Sequence, residues 1–266
     1  MISTFVYKKK KIRFRVSGEG NGKTIVLLHG FLESMRIWNT LEKMLARDFQ
    51  VISIDLPGFG KSECIEPVHT MSLMANVVNK ILLSLEVKRC MMLGHSMGGY
   101  VALAFAAQFP SKLKGLVLFH SKARADTPEA KLNRNRAIRI IESDRSNFIF
   151  QFIPELFAHG NVEYFQEEIN SLRKIATETS KDGIIAALEG MKLRKDRMHV
   201  LSDAAFPVLF IAGKEDTRIP LANIVEEAQL PEHSEIVIMS DVGHMGIIEA
   251  REKTNKIIQS FAVRVL

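Results

Sequence analysis

Cysteine is scarce: Cys64 and Cys90 are the only two, and neither belongs to a C-x-x-C pair or to a paired Cys/His spacing. That excludes a disulfide-stapled scaffold and a structural zinc site of the usual kind, so reduced thiols are expected. No H-E-x-x-H stands anywhere, and no catalytic metal is expected. No stretch approaches the roughly 18 uninterrupted apolar residues that a membrane span requires, and residues 1–11 lack the apolar core of an export signal. A cytoplasmic protein that does not cross the membrane is therefore expected. Repeats and low-complexity tracts are absent, which removes solenoids and disordered arrays. Phosphate-cradling loops are missing too. Gly18, Gly20 and Gly22 are followed by no strand-to-helix step at dinucleotide spacing, and Gly60-Lys61-Ser62 resembles a P-loop end only until Asp55, which stands where that motif needs glycine. Pro57 would further remove a backbone donor. No cofactor is expected.

Acidic residues are missing from the first fifteen positions, where Lys8, Lys9, Lys10, Lys11, Arg13 and Arg15 equal the whole net charge of +6. Ile12, Phe14 and Val16 alternate with Arg13 and Arg15, the pattern of a strand with one buried face. The basic run then reads as a lysine-rich turn in a solvated hairpin, with neither nucleic acid nor membrane as partner. A nucleic-acid or membrane binder remains a rival from another class, predicting salt-sensitive binding that neutralising those lysines abolishes.

What is present is core. Of 266 residues, 47% are hydrophobic and 25% charged, enough for one large α/β domain with an insertion. Short apolar runs at 24–29, 50–56, 89–95, 114–120, 207–212 and 235–239 read as strands. Helical spacing fills 34–47, 71–85, 97–109, 221–228 and 247–262. In the second of these, Thr70 is a candidate N-cap. This alternation predicts a mainly parallel sheet covered on both faces. It breaks from 122 to 202, where no strand signal occurs and an apolar cluster of Phe148, Ile149, Phe150, Phe152, Ile153, Leu156 and Phe157 surrounds Pro154. So long a structureless loop is improbable in a compact domain, so a helical cap is expected at 122–202, inserted in a core of 1–121 and 203–266.

The chemically suggestive residues fall at carboxyl ends of strands, where open parallel sheets place ligands. Gly94-His95-Ser96-Met97-Gly98 follows the 89–93 run and opens an alanine-rich helix, the setting in which a sharp turn projects a serine hydroxyl above the sheet. Ser96 is the expected nucleophile. A serine needs a base, itself held by an acid, and for this elbow the order is serine, acid, histidine. His244 is the expected base and Asp216 the expected acid, with Glu215 and Asp126 as rivals. An oxyanion would be met by the backbone N–H of Met97 and that of Phe31, in the His29-Gly30-Phe31 turn.

His29-Gly30-Phe31, Asp55-Leu56-Pro57-Gly58-Phe59-Gly60-Lys61-Ser62, Gly94-His95-Ser96-Met97-Gly98-Gly99, Gly213-Lys214-Glu215-Asp216 and Gly243-His244 resemble, in order, the signatures of the α/β-hydrolase superfamily, in its capped serine esterase, lactonase and haloperoxidase-like branch. The resemblance implies a mostly parallel eight-stranded sheet, a cap inserted after the sixth strand, a triad of Ser96, Asp216 and His244, and no cofactor. It makes Asp55 structural. Serine at the elbow separates the chain from branches that carry aspartate there. The expected activity is cleavage of small to medium carboxylic esters through an acyl-enzyme. Lactone, thioester and carbon–carbon substrates stay open, as does a ligand sensor with slow turnover.

His120, Phe152 and Phe157 are candidates for the substrate pocket, His120 also as a structural histidine. His29 and His95 are expected to orient loops, and His69, His159, His199 and His233 to lie on the surface. Trp38 reads as core. Oligomeric state is not legible.

Overall fold

The computed structural model describes residues 1–19 and 22–266; Gly20, named above, lies outside the described residues with Asn21. They form an eight-stranded sheet in the order β1-β2-β4-β3-β5-β6-β7-β8. Its strands are β1 (Ile2–Tyr7), β2 (Lys10–Ser17), β3 (Thr24–Leu28), β4 (Gln50–Ile54), β5 (Cys90–His95), β6 (Leu113–Phe119), β7 (Val208–Gly213) and β8 (Ser234–Met239). From β4 to β8 all neighbours run parallel, and only β1–β2 and β2–β4 are antiparallel. The central strands β3, β5 and β7 are buried along their whole length, which is why they are continuous apolar runs and not alternating ones.

The basic amino terminus is a hairpin, as the alternation predicted. Lys8 and Lys9 form its two-residue turn, both with positive φ, which matches the right-handed strand twist but strains residues that carry a Cβ. Their neighbourhood is acidic. Lys8 pairs with Glu66 at 2.5 Å and Arg15 with the buried Glu42 at 2.6 Å. Glu42 also accepts from Ser17 and Ser53, tying β2 and β4 to the helix α1 (Asn39–Leu45).

Helices α2 (Met71–Ser84) and α3 (Met97–Gln108) pack together beside the sheet. Thr70 caps α2 by accepting from the Leu73 N–H at 3.1 Å. Between β6 and β7 the described residues hold only helices, α4 (Pro128–Phe152), α5 (Gln166–Thr177), α6 (Lys181–Lys192) and α7 (Met198–Ser202), with short turns between them. The long α4 bends at Asp144, whose φ and ψ of −147° and 87° leave the helical region. After β7 come α8 (Leu221–Glu227), α9 (Gly246–Glu249) and α10 (Arg251–Val265). The helix expected over 247–262 is thus two, parted at Ala250. Trp38 is fully buried core, and both cysteines are free. No helix among the described residues is long and apolar enough to cross a membrane.

Candidate active site

The turn between β5 and α3 explains itself sterically. Ser96 has φ 50° and ψ −115°, outside the regions a residue with a Cβ prefers. A Cβ on Gly94 would collide with the Gly98 backbone, and one on Gly98 with the carbonyl oxygens of Leu28 and His29, so helix and strands close to this distance only without side chains. The turn is held from outside as well. Ser96 N–H donates to the Phe119 carbonyl at 2.9 Å, and the Ser121 hydroxyl to the Ser96 carbonyl at 2.8 Å. Ser96 itself stays partly exposed.

Asp216 and His244, twenty-eight residues apart, are brought together at the ends of β7 and β8. The His244 Nδ1–H donates to Asp216 Oδ2 at 2.8 Å, both residues being buried. Oδ1 of the same carboxylate accepts the backbone N–H groups of Arg218 at 2.8 Å and Ile219 at 3.0 Å. Burial alone would raise the Asp216 pKa, but the His244 charge and the hydrogen bonds from His120 and His244 outweigh it and hold the carboxyl far below the usual range. Asp216 is ionised. Ser96 and His244 line one cavity of about 160 Å³, although no hydrogen bond joins their side chains among the described residues. The N–H groups of Phe31 and Met97 donate to no internal acceptor among the described residues, and Met97 is the first residue of α3, where the helix dipole favours negative charge. The rivals for the acid role lie elsewhere: Glu215 is exposed, and Asp126 is held by Arg134 and Arg194.

His120 needs correction as a pocket residue. It is fully buried, with φ 47°, and its Nδ1 sits 3.1 Å from Asp216 Oδ2, so it supports the carboxylate from behind instead of lining the cavity. Burial pushes its pKa down to about 4, and the neutral ring donates Nδ1–H. Phe152 does line the cavity, together with Phe31, Tyr100, Leu156, Met191 and Ile219. Phe157 does not: it is buried against Phe165, at 6.0 Å between ring centres, because the chain turns at Pro154 and presents Leu156 inward.

Of the histidines, His159, His199 and His233 are exposed as expected, whereas His69 is fully buried. Its Nε2 accepts the Ile65 N–H at 3.1 Å and its own N–H reaches Ala186 in α6 at 2.9 Å, contacts that polar sequence neighbours conceal. His29 accepts from the Leu56 N–H at 3.0 Å and so orients the His29-Gly30-Phe31 turn. Asp55 takes the N–H groups of Met35 and Lys61 at 2.8 and 2.9 Å, a structural part.

His95 does more than orient a loop. Its Nδ1 lies 3.0 Å from the buried Glu33 carboxylate and its Nε2 lies 2.9 Å from the His244 carbonyl oxygen. Both nitrogens face acceptors, so the ring is an imidazolium. Burial works against that charge, but Glu33 overcomes it and raises the His95 pKa, while Glu33 is lowered in turn. Glu33 also accepts the Gly30 N–H at 2.5 Å, so one buried ion pair joins the His29-Gly30-Phe31 turn, the elbow and the His244 loop. Glu33 is a residue that motif spacing misses; its only signal is a carboxyl inside an otherwise apolar turn.

The same loop is gripped from the helical segment. His244 N–H donates to the Leu156 carbonyl at 2.7 Å, and Glu249 takes the N–H groups of Ala158 at 2.8 Å and Gly243 at 3.1 Å. His120, Asp216 and His244 are also a group that could hold a metal, their donor atoms lying within 4.8 Å of one another. Their shared oxygen, however, already receives two N–H donors.

Comparison with known proteins places the fold. A family model described as the alpha/beta hydrolase fold matches residues 23–154. A solved thermophilic esterase from Thermogutta terrifontis, with malate bound, superposes with a TM-score of 0.92 at 30% identity, covering 100% of this chain and 99% of that one. The chain belongs to the α/β-hydrolase superfamily. Among its sequence relatives, this α/β-hydrolase is 28% identical over 252 residues to the dihydrolipoyllysine-residue acetyltransferase component of the acetoin cleaving system of Pseudomonas putida, matching 93% of this chain but spanning only 65% of that protein. It is also 28% identical over 255 residues to a pimeloyl-acyl-carrier-protein methyl ester esterase of Xanthomonas oryzae pv. oryzae, with 92% and 97% coverage.

Proposed function

We propose that this α/β-hydrolase is a serine esterase of the carboxylesterase type. Ser96 attacks the ester carbonyl, and His244 Nε2 takes the hydroxyl proton and returns it to the leaving alcohol. Asp216 keeps the proton on Nδ1 and stabilises the imidazolium. The Phe31 and Met97 N–H groups receive the oxyanion. Water, activated by the same imidazole, then releases the acid. The segment 122–202 acts as a cap whose Phe152, Leu156 and Met191 provide an apolar wall, suited to small and medium acyl groups.

One observation carries the reading: a serine on a strained elbow shares a cavity with a histidine whose far nitrogen is bonded to a buried, ionised aspartate. The test is turnover of p-nitrophenyl acetate and butyrate, with a fluorophosphonate label mapped by peptide analysis. A burst followed by turnover, lost in Ser96→Ala and His244→Ala, with label on Ser96, is the expected result. Equal turnover by wild type and Ser96→Ala would discard the proposal.

A further inference from the structure

The cavity at Ser96 adjoins a second, larger one of about 450 Å³ between α4 and the loop after β7. Phe31, Arg134, Phe152 and Arg218 line both, so they form the throat between the chambers. Two guanidinium groups at the throat of an ester pocket are costly without a purpose, because the surrounding wall is largely apolar. Neither is fully matched from within. Arg134 gives Nε and Nη2 to Asp126, while its Nη1 has the Met191 thioether at 3.4 Å, a weak acceptor. Asp126 is moreover shared with the buried Arg194. Arg218 gives Nη2 to Glu155, and its Nε is buried with no acceptor among the described residues.

Charge at the walls is also unequal. Glu33 and Glu155 are the carboxylates lining the two chambers, the first engaged by His95 and the second by Arg218. Against them stand Arg134, Arg136 and Arg218, and Arg136 bonds only the neutral Asn133 amide at 2.8 Å. Geometry fixes Arg218 relative to the chemistry. Its backbone N–H is bonded to Asp216, and its guanidinium lies over the Phe152 ring at 4.7 Å from the centre.

We propose that the preferred substrate is an ester bearing a carboxylate, which Arg134 and Arg218 hold at the throat while the scissile carbonyl reaches Ser96. The proposal rests on the esterase reading and narrows it to anionic esters. Planar guanidinium groups with unused donors suit a planar carboxylate, and a half-dry site strengthens the pairing.

The experiment compares anionic esters with neutral ones of similar size: monomethyl glutarate against methyl pentanoate, with the charge in the acyl half, and O-acetylglycolate against ethyl acetate, with the charge in the alcohol half. Wild type should favour at least one anionic ester by about tenfold or more in kcat/KM, through KM. That ratio should collapse towards unity in Arg218→Gln and in Arg134→Gln, and rise in Glu155→Gln, which frees Arg218 from its internal partner. A merely structural arginine does not produce the opposite response at Glu155. Neutral esters preferred in both pairs, or a ratio unmoved in Arg218→Gln, would overturn the proposal. Should no ester turn over and no fluorophosphonate label attach, the esterase reading fails instead. Calorimetry of glutarate binding then decides separately: binding to wild type that is lost in Arg218→Gln upholds the carboxylate site, and absence of binding to wild type refutes it.

Discussion

Acid should loosen the attachment of the helical segment to the core through one side chain, His69. The ring is fully buried, and its Nε2 accepts N–H groups from Ile65 at 3.1 Å and Glu66 at 3.4 Å, so the proton must sit on Nδ1. Burial is the main cause that lowers its pKa from 6.5 to about 4. As pH falls below 6.5 the unfolded chain takes up a proton that the folded chain refuses, so stability declines from about pH 6.5 to pH 4 and levels off below. Between pH 7.5 and pH 4.5 the linkage integral for these two values is about 2.5 kcal/mol, a large share of a typical folding free energy. The assay is urea unfolding of wild type and His69→Gln at both pH values. Gln keeps a neutral acceptor, so the wild type should lose about 2.5 kcal/mol more than the variant. His120, also near 4, contributes equally to both proteins and cancels. Equal losses in the two would refute the account of His69 as a buried neutral acceptor.

Asp216→Asn should lower kcat for p-nitrophenyl butyrate by a factor on the order of 10²–10⁴, because the amide has one acceptor atom where the carboxylate uses two, so its NH2 either faces the two Nδ1–H groups and loses the His244 tautomer or faces the backbone N–H groups of Arg218 and Ile219 and shifts the side chain; a wild-type kcat would reject this. Gly98→Ala should destabilise by about 1–3 kcal/mol and cut activity, since its Cβ meets backbone oxygens that cannot move aside, and an unchanged melting temperature would contradict it. Glu42→Ala should cost about 3–5 kcal/mol in thermal or urea unfolding by leaving Arg15, Ser17 and Ser53 without their shared acceptor; a loss below about 1 kcal/mol would show the network to be dispensable.

The parallel strands were legible because burial on both faces makes them short and wholly apolar, so the residues closing them could be placed at one sheet edge from the sequence. β1 was legible only as the partner arm of the expected hairpin, for a physical reason: as an outer strand with alternating exposed and half-buried residues, Ile2–Tyr7 carries no buried face to mark it. The elbow, Asp216 and His244 followed from local patterns, since each needs a particular turn after a strand. Contacts between distant segments leave no such pattern. The Glu33–His95 pair and the support of Asp216 by His120 join loops at the ends of different strands, the burial of His69 depends on how α6 folds back, and the bend of α4 at Asp144 carries no glycine or proline to announce it.

On the proposed reading, the grip of residues 156–158 on the His244 loop bears on how a reactant gets in. Leu156 is bonded to the His244 backbone and Ala158 is tied through Glu249 to Gly243, so lifting this end of the helical segment would drag the imidazole away from Ser96. Traffic that leaves the two side chains aligned passes instead through the larger chamber, where Ile140 and Phe148 of α4 stand across from the Arg218 loop.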